Sequence, residues 1–65
     1  MKASLNQIAA LLSIQGVADY LNLSVRTVRR LIDSGQLRAL KIGAQWRIYP
    51  ADLDDFVFAR RQGGR

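Results

Sequence analysis

Apolar residues recur at helical spacing in a segment bounded by Ser13 and Asn22. Serine is a favoured N-cap and asparagine often ends a helix in the left-handed conformation, so these two residues are the predicted boundaries. Gly16 weakens the helix by about 1 kcal/mol relative to alanine. The predicted buried stripe has the spacing i, i+3, i+4 and i+7 and consists of Ile14, Val17, Ala18 and Leu21.

A second amphipathic helix follows after a very short connection. Only Asn22 and Leu23 separate the first helix from the next start signal, Ser24, and Gly35 is the predicted stop. Two short helices joined by so tight a turn must cross steeply, which is the helix-turn-helix arrangement. The predicted buried stripe of the second helix is Val25, Val28, Leu31 and Ile32.

In LRALKIGAQWRIYP apolar residues occupy every second position, which predicts a β-hairpin that turns near Gly43. A two-residue loop would mix apolar and polar side chains on each face. A three-residue loop, residues 43–45, gives one apolar face and is therefore the predicted register. It pairs Ile42 with Trp46, Leu40 with Ile48, and Lys41 with Arg47 on the outer face.

The pairing of Lys41 with Arg47 has a consequence for function. Like charges directly across a strand pair destabilise it, so this pairing favours an anionic partner at the hairpin. The alternative is that the two long side chains splay apart in water. Trp46 alternates onto the apolar face, so we assign it to the core rather than to a nucleobase.

A third helix is predicted from Pro50, with Leu53, Phe56 and Val57 toward the core. Its aspartates and arginines suit the two ends of the helix dipole and need no catalytic role. The predicted fold is mostly α with a small β-hairpin. The predicted organisation is an N-terminal arm or extra helix (1–12), a winged helix-turn-helix domain (13–59) and a basic flexible tail (60–65).

The charge of the chain is strongly positive and unevenly placed. Ten Lys and Arg face five Asp, a formal net charge of +5. Between residues 24 and 47 six cations are opposed by Asp33 alone. This asymmetry suggests an anionic partner, namely nucleic acid, an acidic protein or an anionic membrane. The alternative is that the basic residues only keep a small domain soluble.

The second helix concentrates this charge on its outer face. At 100° per residue, Arg26 and Arg30 fall opposite the apolar stripe, with Thr27 and Arg29 at its edges. An α-helix fits the major groove of DNA, and arginine can donate two hydrogen bonds to guanine. Ser24 and Thr27 lie at the leading end, where phosphate is favoured. Lys41 and Arg47 of the hairpin would reach flanking phosphates, and its 43–45 tip a minor groove.

Several function classes are excluded by what the sequence lacks. It contains no cysteine, histidine or glutamate, so we expect no disulfide, metal site, cofactor, small-molecule ligand or catalytic group. No apolar run is long enough to span a membrane. The first residues resemble a secretory signal poorly, and a cytoplasmic location, on host-cell DNA, is expected.

With these elements placed, residues 11–56, LLSIQGVADYLNLSVRTVRRLIDSGQLRALKIGAQWRIYPADLDDF, resemble the excisionase-type winged-helix domain, which is related to the DNA-binding part of MerR-type regulators. The resemblance runs through the turn VADYLNLS, the helix and exit SVRTVRRLIDSGQL, and the wing KIGAQWRI. Gly16 and Asp19 depart from it, because glutamates are common at those positions.

The resemblance implies double-stranded DNA binding, with the second helix in the major groove and the wing on the adjacent minor groove or backbone. It also implies an architectural protein that binds several attachment sites, bends the DNA and helps an integrase to excise a mobile element such as a phage. We expect no effector-sensing region and no catalysis. The implied contact residues are Ser24, Arg26, Thr27, Arg29 and Arg30 of the helix and Lys41, Gly43, Gln45 and Arg47 of the wing.

Other functions stay open at this point. A small transcriptional repressor would use the same surface, and a basic adaptor would bind RNA or an acidic protein instead. Because one short helix reads only a few base pairs, we expect cooperative self-association on DNA or cooperation with the integrase. The arm before Ser13 and the tail after Arg60 are the segments expected to make those contacts.

Overall fold

The computed structural model describes residues 9–61. Along this part of the chain run helix α1 (Ile14–Leu21), helix α2 (Val25–Asp33), strand β1 (Leu40–Ile42), strand β2 (Gln45–Arg47) and helix α3 (Pro50–Ala59). The two strands form an antiparallel hairpin. This confirms the predicted fold class. Most of the predicted N-terminal arm or extra helix (1–12) and of the predicted flexible tail (60–65) lies outside the described residues.

Local capping explains where α1 begins and ends. The Ser13 hydroxyl accepts a hydrogen bond from the Gly16 N–H at 3.0 Å. Asn22 has φ of 58°, and the Leu23 N–H then donates to the Ala18 carbonyl at 2.9 Å. This is the Schellman arrangement, in which a left-handed residue lets the chain satisfy the last carbonyls of a helix. Both predicted boundaries of α1 are confirmed.

Helix α2 is bounded in the same way. The Ser24 hydroxyl accepts from the Thr27 N–H at 3.0 Å. Gly35, with φ of 81°, follows the last turn, and the Gln36 N–H donates to the Leu31 carbonyl at 2.9 Å. The predicted N-cap and the predicted stop are confirmed. They leave Leu23 as the single residue between the cap of α1 and the cap of α2.

One hydrophobic core joins the three helices and the hairpin. Val28 of α2 is fully buried, whereas Val25 is 42% exposed. The prediction that Val25 faces the core was wrong, because α2 packs on the core only from its second turn onward. Leu37 follows α2 and is 1% exposed. The core consists of Val17, Ala18, Val28, Ile32, Leu37, Ile48, Leu53 and Phe56.

The hairpin has a different register from the predicted one. Leu40 pairs with Arg47, Lys41 with Trp46 and Ile42 with Gln45, so the loop has two residues, 43–44, and the predicted three-residue loop was wrong. Gly43 has φ of 62°, and a glycine with positive φ at the first loop position is typical of the tight II′ turn, whose twist matches that of the strands.

The observed register also changes which residues share a face of the hairpin. Directly opposed residues share a face, so Lys41 lies with Trp46, and Arg47 lies on the other face. The predicted opposition of Lys41 and Arg47 was therefore wrong, as was the assignment of Ile42, which is 51% exposed, to an apolar face. Trp46 is half-buried and packs against the core, which confirms its structural assignment.

Contacts outside the hairpin hold its base in place. Ile48 is fully buried, and it exchanges two backbone hydrogen bonds of 2.8 Å with Leu12. Leu12, which the sequence analysis placed in the arm, thus pairs with the residue that directly follows β2. Because the inward direction of Ile48 is fixed, that of Trp46, two residues before it, is fixed as well.

Helix α3 begins at Pro50, as predicted, and Asp52 lies in its first turn. Leu53 and Phe56 are buried, but Val57 is 40% exposed, so the prediction that Val57 faces the core was wrong. Among residues 9–61, no helix has the length and apolar character that crossing a membrane requires.

Candidate nucleic-acid interface

The outer face of α2 is a basic surface. Arg26, Arg29 and Arg30 are all exposed there, while Val28 and Ile32 hold the opposite face in the core. Packing of the apolar stripe therefore fixes which way the arginines point. The sequence prediction of an outward arginine face describes this geometry correctly.

The beginning of α2 carries two hydroxyl groups that contact each other. Ser24 Oγ and Thr27 Oγ1 are 2.9 Å apart, and Ser24 Oγ also accepts from the Thr27 N–H. A pair of hydroxyls has two protons, and their mutual hydrogen bond uses one. One O–H donor stays available beside the first N–H groups of the helix, which have no carbonyl partner within the helix. This end of α2 can therefore bind an anion.

The three arginines of α2 have different surroundings. Arg29 Nε donates to Asp33 Oδ1 at 3.1 Å, and the two side chains are 51% and 58% exposed. Within residues 9–61 this is the one ion pair. Arg26 and Arg30 thus have no carboxylate partner in the described part of the chain, and their guanidinium groups are available to an external anion.

Trp46 brings the helix and the hairpin together. The guanidinium carbon of Arg29 lies 5.8 Å from the centroid of the indole ring, and Nζ of Lys41 lies 5.3 Å from it. Each distance is within the range of a cation–π interaction, worth about 0.5–1 kcal/mol at exposed sites. The structure therefore places two predicted contact residues, one from α2 and one from β1, around one ring.

This role of Trp46 was missed by the sequence reasoning. The assumed register placed Lys41 opposite Arg47 and away from the indole. The signal was available at Gly43, because a glycine at the first loop position favours a two-residue turn and hence the observed register. The indole Nε1 is buried without a hydrogen-bond partner among the described residues.

The other hairpin residues of the predicted site lie on the far face or at the tip. Arg47 donates from Nη1 to the Trp46 carbonyl at 2.8 Å and from Nη2 to the Gln45 side chain. Gly43 and Gln45 are exposed at the turn. The structure therefore brings Lys41 and Arg29 together but separates Arg47 from both. Lys41 and Arg47 thus face away from each other and are not placed to bind the same phosphate.

The aspartates do not form a metal-binding group. Within residues 9–61 no three carboxylate, imidazole or thiol groups lie close enough together to hold a metal ion. Asp52 lies in the first turn of α3, where a negative charge stabilises the helix dipole. The chemistry of the described surface is thus that of arginine, lysine, hydroxyl and amide donors.

Residues 11–61 match the family model described as a helix-turn-helix domain. A search of curated proteins and a search of solved structures each found no significant match. The family includes excisionase-like DNA-binding proteins, and its domains are typically not enzymes. Because the match spans all three helices and the hairpin, this chain belongs to the helix-turn-helix domain family of DNA-binding proteins.

Proposed function

We propose that this chain binds specific sequences of double-stranded DNA and acts as an excisionase. In this role it binds and bends attachment-site DNA and directs an integrase toward excision of a mobile element. The observation that carries the DNA-binding part is the outer face of α2, where Arg26 and Arg30 are exposed and have no carboxylate partner within residues 9–61.

In the proposed complex α2 lies in the major groove, because its width suits the groove and its arginines point outward. Arg26 and Arg30 read base edges, where each bidentate contact to guanine contributes about 1–3 kcal/mol of discrimination. Arg29 is already paired with Asp33, so it contributes more through its positive charge than through recognition of base edges. The free hydroxyl proton of the Ser24–Thr27 pair bonds a phosphate and fixes the register of the helix.

The wing supplies contacts that do not depend on sequence. Lys41 and Arg47 project from opposite faces of the hairpin, so they neutralise different phosphates. Gly43 and Gln45 at the turn approach the neighbouring minor groove or backbone. Replacing either cation with alanine therefore weakens binding to all sequences alike and lowers the log–log salt slope by about 0.9. Arg38 is an exposed arginine outside the proposed site, so Arg38→Ala is the matched control.

The excisionase role is supported by the resemblance of residues 11–56 and by the excisionase-like members of the family. One short helix reads few base pairs, so useful specificity needs several copies on neighbouring sites or an integrase bound beside them. A small repressor would use the same DNA-binding surface. What separates the two roles is the location of the preferred site, at an attachment region or at a promoter.

Fluorescence anisotropy across a salt series tests the proposal. Labelled duplexes carry the attachment region of the source DNA, its promoters, or scrambled sequence of equal composition. We expect the attachment region to bind at least about 10³-fold more tightly than scrambled DNA. The salt slope divided by about 0.9 then gives the number of phosphates contacted.

Equal binding to all duplexes would contradict sequence recognition and leave α2 as an electrostatic surface only. A preference for promoters would contradict the excisionase role and favour the repressor. Tighter binding to an RNA hairpin would contradict both. An excision reaction with the integrase of the same element then measures the directional effect, and the excised product should increase when the chain is added.

A further inference from the structure

An exposed apolar surface lies on α3, outside the proposed DNA contacts. Val57 and Phe58 are 40% and 69% exposed, and Tyr20 of α1 is 74% exposed. These three side chains line one shallow depression. Exposed aromatic and branched side chains that gather in one place mark an interaction surface more often than scattered ones do. None of the three belongs to the proposed DNA-binding set.

Opposite charges flank this surface along the helix. Asp54, Val57 and Phe58 have the spacing i, i+3 and i+4 and so follow one face of α3. Arg61 lies two residues beyond the end of the helix and lines the same depression as these three residues, Asp55 and Tyr20. We call Asp54, Val57, Phe58 and Arg61 the α3 stripe. The guanidinium of Arg61 lies 5.6 Å from the Phe58 ring centroid. Neither Asp54 nor Arg61 has an ion-pair partner within residues 9–61.

In chain order the α3 stripe consists of an acid, two apolar residues and a base. The same stripe in the opposite direction therefore presents a complementary charge at each end. Its two apolar residues lie midway between an acid at one end and a base at the other. If a second α3 packs antiparallel on the first, Val57 meets Phe58 of the other copy, and Asp54 meets Arg61. Two-fold symmetry then repeats each contact, so one short stripe produces two ion pairs around an apolar centre.

We propose that a second copy of this chain docks on the α3 stripe and forms a two-fold symmetric dimer. The charge distribution favours this occupant. Three of the five aspartates lie on α3, so a second copy that docks there avoids the arginine face of α2. A uniformly basic partner would be repelled by Arg61, and a uniformly acidic one by Asp54. An antiparallel second copy offers an arginine to Asp54 and an aspartate to Arg61.

The contact is small, which determines its strength. Interfaces well below about 1,200 Å² belong to weak, transient complexes. We therefore expect a dimer that is weak in solution and strengthened when two copies occupy neighbouring sites, because binding to one duplex raises their effective concentration. If the proposed DNA binding holds, the two-fold axis relates the two α2 helices, and the preferred target is an inverted repeat.

Sedimentation equilibrium of the full chain without DNA tests the dimer by itself. From about 10 µM to about 1 mM, the concentration range of weak interfaces, the weight-average mass should rise from 7.3 kDa toward twice that value. Asp54→Arg and Arg61→Asp should each weaken self-association about tenfold or more, because two attractive pairs become two repulsive ones.

The mixture of these two variants provides the sharpest measurement. In a mixed dimer the introduced arginine faces the introduced aspartate, and the unchanged Arg61 faces the unchanged Asp54. Equimolar mixing should therefore restore association to the wild-type level, and the double variant D54R/R61D should associate with itself. General electrostatic repulsion or misfolding would not produce this recovery.

Matched controls separate the α3 stripe from the rest of the surface. Asp19→Arg makes the same charge change on exposed α1 and should leave association unchanged. Phe58→Ser should abolish it, whereas Ile42→Ser, at a 51% exposed hairpin position, should not. Far-UV circular dichroism checks that every variant is folded.

A chain that stays monomeric at about 1 mM, the weak limit of specific association, would overturn the dimer. So would variants whose mixture fails to recover. Neither result affects the proposed DNA binding, which is measured separately with duplexes. Conversely, a dimer without DNA binding would contradict the proposed function and leave the α3 stripe as a self-association surface.

Discussion

The three arginines of α2 differ in what else they contact, and this predicts different effects on binding. Arg26→Ala and Arg30→Ala should each reduce the preference for the specific duplex over scrambled DNA by about 5- to 150-fold, the loss of one bidentate base contact. Arg29→Ala should lower that preference less, since Arg29 is held by Asp33. Binding isotherms on both duplexes measure the ratio, with Arg38→Ala as the control.

An equal loss of specific and scrambled binding for Arg26→Ala would refute the assignment of this residue to base edges. An effect of Arg29→Ala on specificity as large as that of Arg26→Ala would mean that the ion pair with Asp33 opens on DNA.

The cap of α2 is a residue-scale feature with a measurable energy. Ser24→Ala removes the hydroxyl that accepts from the Thr27 N–H at 3.0 Å, and we expect it to lower the free energy of unfolding by about 1 kcal/mol. Ser24→Thr keeps a hydroxyl and should lower the free energy of unfolding by only a few tenths of about 1 kcal/mol. Urea denaturation should show a lower midpoint with an unchanged slope. An alanine variant as stable as wild type would show that the cap contributes nothing.

At the scale of elements, the unexpected feature is the link from α2 to the hairpin through Trp46. Of the two cation contacts at this ring, a double-mutant cycle measures the one within the hairpin, between Lys41 and Trp46, without assuming what each residue contributes alone. For Lys41→Met and Trp46→Leu we expect a coupling free energy of about 0.5–1 kcal/mol, because the ammonium lies within cation–π range of the ring. Methionine keeps the apolar stem of lysine, so the cycle isolates the charge.

The same cycle with Arg47→Met in place of Lys41→Met is the control, since Arg47 lies on the opposite face of the hairpin. Its coupling to Trp46→Leu should be near zero. Coupling near zero for both cations would favour the predicted three-residue register, in which Lys41 and Arg47 both lie on the face opposite Trp46, over the observed one.

Elements also show how far the sequence determined the fold. The bounds of α1 and α2 follow from Ser13, Asn22, Ser24 and Gly35, each of which bonds or turns within a few residues of itself, so the sequence suffices to predict them. The hairpin register does not follow from alternation alone. Pairing apolar residues was the wrong criterion, because the turn at Gly43 and the anchoring of Ile48 by Leu12 determine the observed pairing.

At the scale of the whole molecule, stability depends on a single small core. A domain of this size has only a few kcal/mol in total. Leu37→Ala, at a side chain that is 1% exposed, should cost about 2–5 kcal/mol and leave much of the chain unfolded at 25 °C. Far-UV circular dichroism measures the folded fraction.

The control for this substitution is Ile42→Ala, at a 51% exposed position, which should cost less than about 1 kcal/mol. A Leu37→Ala variant that stays fully folded would show that the domain has more stability than its size implies, or that the core collapses around the cavity.

The sequence by itself determined the helix ends, the outward face of α2 and the basic character of the site, because capping and helical periodicity are local. It also indicated the helix-turn-helix family, because the two caps and the short turn between them are readable from the residues alone. Only the tertiary structure decided which residues share a hairpin face, that Trp46 lies against both Arg29 and Lys41, and that Val57 stays exposed beside Phe58. These features depend on packing between segments distant in the chain, and hydrophobicity alone does not specify which of several apolar pairings fills the core.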